Sequence, residues 1–295
     1  MAIADPDSAL LKVVEESDDD VNLFGDEDDT ITSDLGRALY QRAETTRREK
    51  LAQLPPPSQR TCAQNRMAYV LSGQRLQPTK VAHVFSVEEC ELIIAAVVDY
   101  VEKQGGLQTD RHEKFATTDV PASSLSLPLP RDAGDTGKTV GDAILEWVTE
   151  RVLSLVTAST GFRSQDIGLK DLFVVCYHGK QPKADQHLKR YPIPSKQASL
   201  AIHSDGCLLS FSILLNHHDA FDGGGTFFKG TGQTFHVEQG GLLMHDAGLE
   251  HAGAEVLTGQ RIMLVGFLET VDVLKQKLVW EQQSAWKRPD RQTAS

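Results

Sequence analysis

The sequence predicts an α+β fold in which a double-stranded β-helix (jelly-roll) core packs against helices from its N-terminal part. Three observations predict this class. Between residues 80 and 160, two segments carry apolar residues at helical spacing. After Gly161 the pattern changes to short apolar strands bounded by glycine or aspartate, which is typical of antiparallel barrels and jelly rolls. A chain of 295 residues with 40% hydrophobic content is also long enough to bury a full core.

The first eighty residues are not expected to belong to this core. Residues 1–30 contain the runs Glu15–Asp20 and Asp26–Asp29, which predict a disordered acidic tail that could bind a basic partner. Residues 31–80 predict a linker with one helix, which would end before Pro55–Pro57. The main domain is then expected over residues 81–275, followed by a polar extension over residues 276–295.

Two helices are expected at the start of the domain. Residues 81–86 predict a short strand, after which Ser86 and Glu89 form a capping-box pattern that opens a helix ending near Gly105. A second amphipathic segment predicts a helix over residues 140–157. The intervening residues 107–139 have no periodic pattern and are expected to form a loop.

The β-strands of the core are expected in the second half of the chain. Their predicted ranges are 172–177, 200–205, 208–215, 225–228, 234–237, 241–245 and 262–268.

Composition limits the partners and the compartment. The 41 acidic and 30 basic residues give a formal charge of −11, so the surface should repel nucleic-acid backbones. No apolar run is long enough for a membrane span, and no secretory signal pattern begins the sequence. The four cysteines are scattered and predict reduced thiols in a cytoplasmic or nuclear protein.

A metal site is predicted around His203 and Asp205. Residues two apart on a strand point to the same face, so both side chains can reach one ion. Two imidazoles and one carboxylate on one face of iron(II) leave three positions open for oxygen and a co-substrate. The third ligand must come from another strand. His251 is favoured over His245 because Arg261 follows it at a matching spacing of ten residues.

Arg261 indicates a buried anion beside this metal. It begins an alternating run in which Met263, Val265 and Phe267 share its face of a core strand. An arginine on an inward face needs an anionic partner, and a guanidinium can hold a carboxylate through two hydrogen bonds. The alternative is an arginine on an exposed edge strand.

These motifs together resemble a known family. The run Gly223–Phe228, the pair Gly240–Gly241, and His251-Ala-Gly followed by Arg261 resemble the catalytic domain of prolyl 4-hydroxylases, which are iron(II)/2-oxoglutarate dioxygenases. The lysyl hydroxylase catalytic domain is a close second match. Residues 84–94 resemble the family's first strand and helix, so the resemblance covers roughly residues 80–270 and fails for the N-terminal eighty.

The resemblance implies an activity and a set of site residues. His203, Asp205 and His251 match the iron ligands, and Arg261 and Tyr177 match residues that hold 2-oxoglutarate. The implied cofactors are Fe(2+), 2-oxoglutarate and O2, with ascorbate as an accessory. The implied reaction hydroxylates a C–H bond, most often of a prolyl residue in a protein or peptide substrate, and releases succinate and carbon dioxide.

Several alternatives stay open at this level. Tyr177 could equally be a core tyrosine, and the polar insert at residues 180–196 departs from the family pattern. Related nucleic-acid demethylases carry a second arginine six residues after the first, where this chain has Phe267. A lysyl or small-molecule hydroxylase, and a non-catalytic binding module on the same barrel, are the remaining alternatives. The substrate cannot be read from the sequence.

Overall fold

The computed structural model describes residues 34–109, 111–112, 115–130, 137–182 and 190–277. The predicted acidic tail and nearly all of the predicted C-terminal extension lie outside these residues. The chain divides into two compact units, residues 1–52 and residues 53–295. In the first unit the structure describes one helix, α1 (Asp34–Ala52).

The second unit contains the other helices. They are α2 (Cys62–Ser72), α3 (Val87–Gln104), α4 (Val140–Trp147) and α5 (Leu153–Thr160), and residues 271–277 are also helical. A π-helical turn at Val148–Val152 joins α4 to α5, so the helix predicted at residues 140–157 continues to Thr160 with one irregular turn. No helix among the described residues is long and apolar enough to cross a bilayer.

Helix α3 follows its sequence signals closely. The Ser86 side chain accepts a hydrogen bond from the Glu89 backbone and the Glu89 side chain accepts one from the Ser86 backbone, which completes the capping box. Gly105 ends the helix in the left-handed conformation at φ 81°, which glycine adopts without steric strain. The buried face of α3 includes Cys90, Ile93 and Val97. Both predicted ends of this helix are confirmed.

Helix α2 was not predicted from the sequence. One helix was expected across residues 31–80, and the structure describes two. Helix α2 packs on the folded unit, because the Tyr69 ring lies 5.3 Å from the Phe162 ring and its hydroxyl donates a hydrogen bond to Asp246. Thr61 caps this helix with its own capping box. The sequence prediction missed it because its polar composition gives only a weak apolar stripe.

Eleven strands are described. In chain order they are β1 (Thr79–Val81), β2 (Asp119–Pro121), β3 (Ile167–His178), β4 (Leu200–His203), β5 (Leu209–Leu214), β6 (Phe221–Gly223), β7 (Thr226–Phe228), β8 (Gln233–Phe235), β9 (Leu242–Asp246), β10 (His251–Gly253) and β11 (Val256–Thr270).

The strands form two antiparallel sheets. The large sheet has the order β1-β9-β5-β11-β3-β2, with β6 also paired to β11, and the small sheet has the order β4-β10-β7-β8. From β4 onward the chain passes repeatedly between the two sheets, which is the topology of a double-stranded β-helix. The predicted α+β class with a jelly-roll core is therefore confirmed.

The outer face of the large sheet packs against the helices and forms the main core. Cys176, Ile262 and Leu264 lie in the same buried cluster as residues of α3 and α4. The inner face of the same strands carries a second buried cluster that includes Phe173, Val175, Tyr177 and Met263. This inner face borders the cavity described below.

The strands differ from the prediction in several places, and the short strands β6 and β10 were not predicted. The first strand lies at Thr79–Val81 rather than residues 81–86, and Asp119–Pro121 forms a strand inside the predicted loop. The last strand begins at Val256, six residues earlier than predicted. Three-residue strands carry too few alternations for a period-two pattern, so pairing with a neighbour decides where they form. All four cysteines are free, as the sequence predicts.

Candidate metal centre

His203 and His251 are brought together by strand pairing. Strand β10 runs antiparallel to β4, and His251 lies directly opposite His203 in the register of the two strands. Side chains opposite each other on one face of a sheet have Cβ atoms about 5 Å apart. The two imidazole rings accordingly lie 4.4 Å apart between centroids. The 47 residues between them in sequence include two other strands of the small sheet, β7 and β8.

Asp205 completes the group. It follows β4 after one intervening residue, and its backbone N–H donates a hydrogen bond to the carbonyl of Ala247. One carboxylate oxygen, Oδ1, lies 3.3 Å from Nε2 of His203, and the other, Oδ2, lies 3.5 Å from Nε2 of His251. Donor atoms of all three side chains lie within 4.8 Å of one another. The three predicted metal ligands therefore meet at one point.

Backbone carbonyls fix which ring nitrogen faces this point. Nδ1 of His203 donates to the carbonyl of Ala201 at 2.8 Å, and Nδ1 of His251 donates to that of Leu249 at 2.9 Å. Each proton on Nδ1 leaves a lone pair on Nε2, which is the atom directed at Asp205. This is the usual arrangement by which a second hydrogen bond orients a metal-binding histidine.

The electrostatics of the group suit a divalent cation. Burial raises the pKa of Asp205, but hydrogen bonds with His203 and Ser210 outweigh it and leave the pKa below its usual value. Burial lowers the pKa of His251, which keeps that imidazole neutral and available as a ligand. For His203, burial also lowers the pKa, but its contact with Asp205 reverses the shift and raises it. Asp205 thus stabilises a proton on the neighbouring imidazole of His203. A bound metal ion would take the place of that proton.

Ser210 is a site residue that the sequence analysis missed. Its hydroxyl donates a hydrogen bond of 2.5 Å to Oδ2 of Asp205. This leaves Oδ1 as the carboxylate oxygen free for a metal. A signal for it existed in the sequence, because Ser210 and Ser212 alternate with apolar residues on a core strand and must face inward together.

His245, the rival for the third ligand, lies beside the group and outside it. It belongs to β9 of the large sheet, opposite Ser210, and its ring lies 4.5 Å from that of His251. Burial, followed by the neighbouring His251, lowers the pKa of His245 to about 4. His245 is thus a neutral core imidazole, and its donor atoms fall outside the group formed by His203, Asp205 and His251.

Arg261 lies on the inner face of the large sheet. It pairs with Tyr177 across β11 and β3, and its guanidinium carbon lies 5.9 Å from the centre of the Tyr177 ring. Only 6% of Arg261 is exposed, and burial lowers its pKa. No carboxylate among the described residues forms an ion pair with it. Gly224, at φ 66°, allows the backbone to approach the Arg261 side chain, because a Cβ there would lie 3.0 Å from Cδ.

Tyr177 is buried beside this guanidinium. Burial raises the pKa of its phenol to about 12, so the hydroxyl keeps its proton at neutral pH and can donate a hydrogen bond. The structure thus places Tyr177 where a ligand of Arg261 would contact it.

One cavity joins the metal group to Arg261. It has a volume of about 600 Å³. His203, Asp205 and His251 line it together with Arg261 and Tyr177. All five residues that the sequence predicted for the site therefore line a single cavity. Its volume is large enough for a small dicarboxylate and part of a substrate.

The donor set and the cavity fit iron(II) and 2-oxoglutarate. Two imidazoles and one carboxylate on one face match the ligands of non-haem iron(II) sites. The buried, unpaired guanidinium supplies the positive charge that a dicarboxylate co-substrate needs at its far end. These observations on the residues themselves support the assignment without reference to any other protein.

A curated relative matches part of the sequence. Over 64 residues, 21% of this chain, it is 33% identical to a PKHD-type hydroxylase of Prochlorococcus marinus (strain MIT 9215). The match spans 29% of that relative's length. No family model matches the chain.

Solved structures resemble the fold at low identity. A viral collagen prolyl hydroxylase from Paramecium Bursaria Chlorella virus-1, determined with 2OG, is 15% identical, with 66% of this chain and 96% of that chain covered and a TM-score of 0.39. A Pseudomonas putida prolyl-4-hydroxylase is 15% identical, with 71% and 98% covered and a TM-score of 0.42. At these TM-scores the likeness does not extend to activity or substrate.

Proposed function

We propose that the protein is an iron(II)- and 2-oxoglutarate-dependent dioxygenase that hydroxylates a C–H bond, with a prolyl residue of a protein as its substrate. One observation carries the proposal. His203, Asp205 and His251 converge with their metal-binding atoms free, in the same cavity as the buried and unpaired Arg261. The partial match to a PKHD-type hydroxylase supports the same chemistry.

Each residue has a defined task in this proposal. His203, Asp205 and His251 hold the metal through one face and leave the other open. Arg261 binds the far carboxylate of 2-oxoglutarate, and the protonated hydroxyl of Tyr177 donates to the same group. Val175, Met263 and other apolar residues of the inner face keep water away from this end of the cavity.

When bound, iron(II) supplies oxygen activation, coupled to the decarboxylation of 2-oxoglutarate to succinate and carbon dioxide. The protein's contribution is to bind, orient and exclude water. Because Asp205 occupies the carboxylate position, a halide has no vacant ligand site, which disfavours a halogenase. Phe267 stands where related demethylases carry a second arginine, which disfavours a nucleic-acid substrate.

The proposal is tested by removing one imidazole. His203→Ala should lower succinate formation from iron(II) and 2-oxoglutarate by more than about 100-fold, because loss of a ligand costs more than the 10- to 100-fold typical of outer contacts. Turnover is measured without a primary substrate, and metal binding by titration. Circular dichroism should show an unchanged fold, because the His203 side chain lies at the cavity rather than in the main core.

The matched control is His83→Asn, which removes an exposed histidine outside the cavity and outside the candidate metal ligands. It should leave turnover and stoichiometric metal binding intact. Full succinate formation by the His203 variant would refute the ligand assignment. Absence of 2-oxoglutarate turnover in the unmodified protein would favour a non-catalytic binding module. Mass spectrometry of extract proteins after incubation would then identify the residue that gains one oxygen.

A further inference from the structure

The end of the cavity remote from Arg261 carries a cluster that the proposed function does not use. Along β11, six residues separate Arg261 from Phe267, which spans about 20 Å at the rise of a β-strand. Phe267 pairs with Asp171 of β3 on one side and with Ser210 of β5 on the other. Ser210 contacts the metal ligand Asp205, and the Tyr177 hydroxyl beside Arg261 closely approaches Gly253 on the strand of His251, so the metal group lies between the two ends.

Arg111 lines this end of the cavity, and two carboxylates behind it, which do not line the cavity themselves, share its guanidinium. Nη1 of Arg111 lies 2.6 Å from Oδ1 of Asp119, and Nη2 lies 2.8 Å from both oxygens of Asp171. Asp119 is fully buried, and the Thr117 hydroxyl also donates to it. Because Arg111 is held by both carboxylates, it has no bidentate face left for a substrate anion. Arg111, Asp119 and Asp171 together carry a net charge of −1, with His112 not counted.

His112 adds a polar atom without a partner. Its Nε2 is buried and makes no hydrogen bond within the described part of the chain, lying 3.6 Å from Asp119 and 3.9 Å from Asp171. A buried polar atom of this kind is normally satisfied by a ligand or by water. His112 lines the cavity, while its buried Nε2 is directed at the two carboxylates.

Aromatic rings form the walls around this polar cluster. The Phe173 ring lies 5.4 Å from Phe267 in an edge-to-face arrangement and 4.8 Å from the His112 ring. Phe115 lies 4.8 Å from the ring of the metal ligand His203. Aromatic faces carry a negative quadrupole that attracts C–H groups and cations and does not favour anions.

From these contacts we infer that Arg111, His112, Asp119 and Asp171 form the substrate-recognition element of the site, which accepts an uncharged or cationic substrate group and excludes a free carboxylate. This inference rests on the proposed function and deepens it. The expected substrate is therefore a residue within a peptide, or a neutral small molecule, rather than a free amino acid or another carboxylic acid. The only buried guanidinium without a carboxylate partner that lines the described cavity is Arg261, which the co-substrate occupies.

The experiment compares two probes that differ by one charge, N-acetyl-L-prolinamide and N-acetyl-L-proline. Their affinities are measured by calorimetry or ligand-observed NMR on protein loaded with nickel(II) and N-oxalylglycine, which replace iron(II) and 2-oxoglutarate without turnover. The amide should bind at least about tenfold more tightly than the acid, because an added anion near the excess carboxylate is repelled at low dielectric.

Two variants locate the effect. Asp171→Asn removes the excess charge while Arg111 keeps Asp119, and it should bring the ratio of the two affinities below about threefold. His112→Phe keeps a ring against Phe173 and leaves both carboxylates in place, so the ratio should stay close to that of the unmodified protein. The matched control is Glu102→Gln, which removes an exposed carboxylate outside the cavity and outside the candidate metal ligands, and should leave the ratio unchanged.

Equal or tighter binding of the acid by the unmodified protein would overturn the inference, and so would an unchanged ratio in Asp171→Asn. Failure of both probes to bind would count against it equally. These outcomes are separate from those that test the proposed function, because binding in the nickel(II) complex does not require oxygen activation. Succinate formation can therefore succeed while this inference fails.

Discussion

The two sheets of the β-helix differ in strand length and in what their facing side chains do. In the large sheet, β3 and β11 run for 12 and 15 residues and pair along most of that length. The strands of the small sheet have three or four residues each, yet two of them carry His203 and His251. The long strands bury the core and hold Arg261, whereas the short strands serve mainly to present metal ligands. This difference predicts that substitutions in the two sheets will have separable effects.

The largest expected effect tests the co-substrate end of the large sheet. Arg261→Gln should raise the KM for 2-oxoglutarate roughly 100-fold, because it removes a buried charge that pairs with the far carboxylate. Metal affinity should stay unchanged, since Arg261 is not a ligand. Steady-state kinetics and metal titration measure the two quantities. Lys229→Gln, which changes an exposed cation on the small-sheet side, is the control. An unaltered KM would remove Arg261 from the binding site.

A glycine in β11 tests the packing of the large sheet. A Cβ at Gly266 would lie 2.2 Å from the ring of Phe211, which is 1% exposed and has no room to move. Gly266→Ala should lower the free energy of unfolding by roughly 2–3 kcal/mol, as overpacked cores do. Chemical denaturation measures it. Gly206→Ala, beside Asp205, meets only the end of Lys170 at 3.9 Å and should change stability little. Equal losses in both variants would contradict the comparison.

The pH dependence of folding stability tests the burial of His245 in the same sheet. Its pKa is lowered to about 4, so between pH 6.5 and 4 the unfolded chain binds a proton that the folded protein does not. Folding stability therefore falls as pH decreases through this window, by about 2 kcal/mol between pH 8 and pH 5. His245→Phe should remove that part of the slope in metal-free protein. Denaturation at several pH values measures it, and an unchanged slope would show that His245 does not titrate as a neutral core residue.

The smallest expected effect concerns the contact between Ser210 of the large sheet and Asp205, which follows a strand of the small sheet. Ser210 of the large sheet fixes the orientation of Asp205, so Ser210→Ala should weaken metal binding about tenfold without altering the KM for 2-oxoglutarate. Titration with cobalt(II) provides the measurement. Ser212→Ala, two residues along the same strand face and lining the same cavity, is the matched control. If both variants bind metal as tightly as the unmodified protein, the two sheets are not coupled through Ser210.

The elements that depend on residues close together in sequence were predicted from the sequence. Ser86, Glu89 and Gly105 define helix α3 within twenty residues, and the structure agrees at both ends. The spacing of His203 and Asp205 on one strand placed both at the cavity for the same reason. The very short strands β2, β6 and β10 were missed, because three residues give no measurable alternation and form only beside a longer partner.

Contacts between distant segments could not be predicted. Arg111 and Asp171 are 60 residues apart, and nothing in either local sequence indicates that they meet. The two histidines that competed for the third ligand position, His245 and His251, differ in sequence only by their spacing to Arg261. The structure separates them, because His251 pairs opposite His203 in the small sheet and His245 pairs opposite Ser210 in the large one.

The sequence by itself determined the fold class and the chemical types of the site residues, because alternation, capping and residue type act over a few neighbouring positions. Only the tertiary structure decided that a short strand carries His251, which donor atoms converge, which carboxylate oxygen Ser210 occupies, and that Arg261 is buried without an anionic partner among the described residues. Those facts depend on register between strands tens of residues apart. Register is set by the packing of both sheets together, which no single segment encodes.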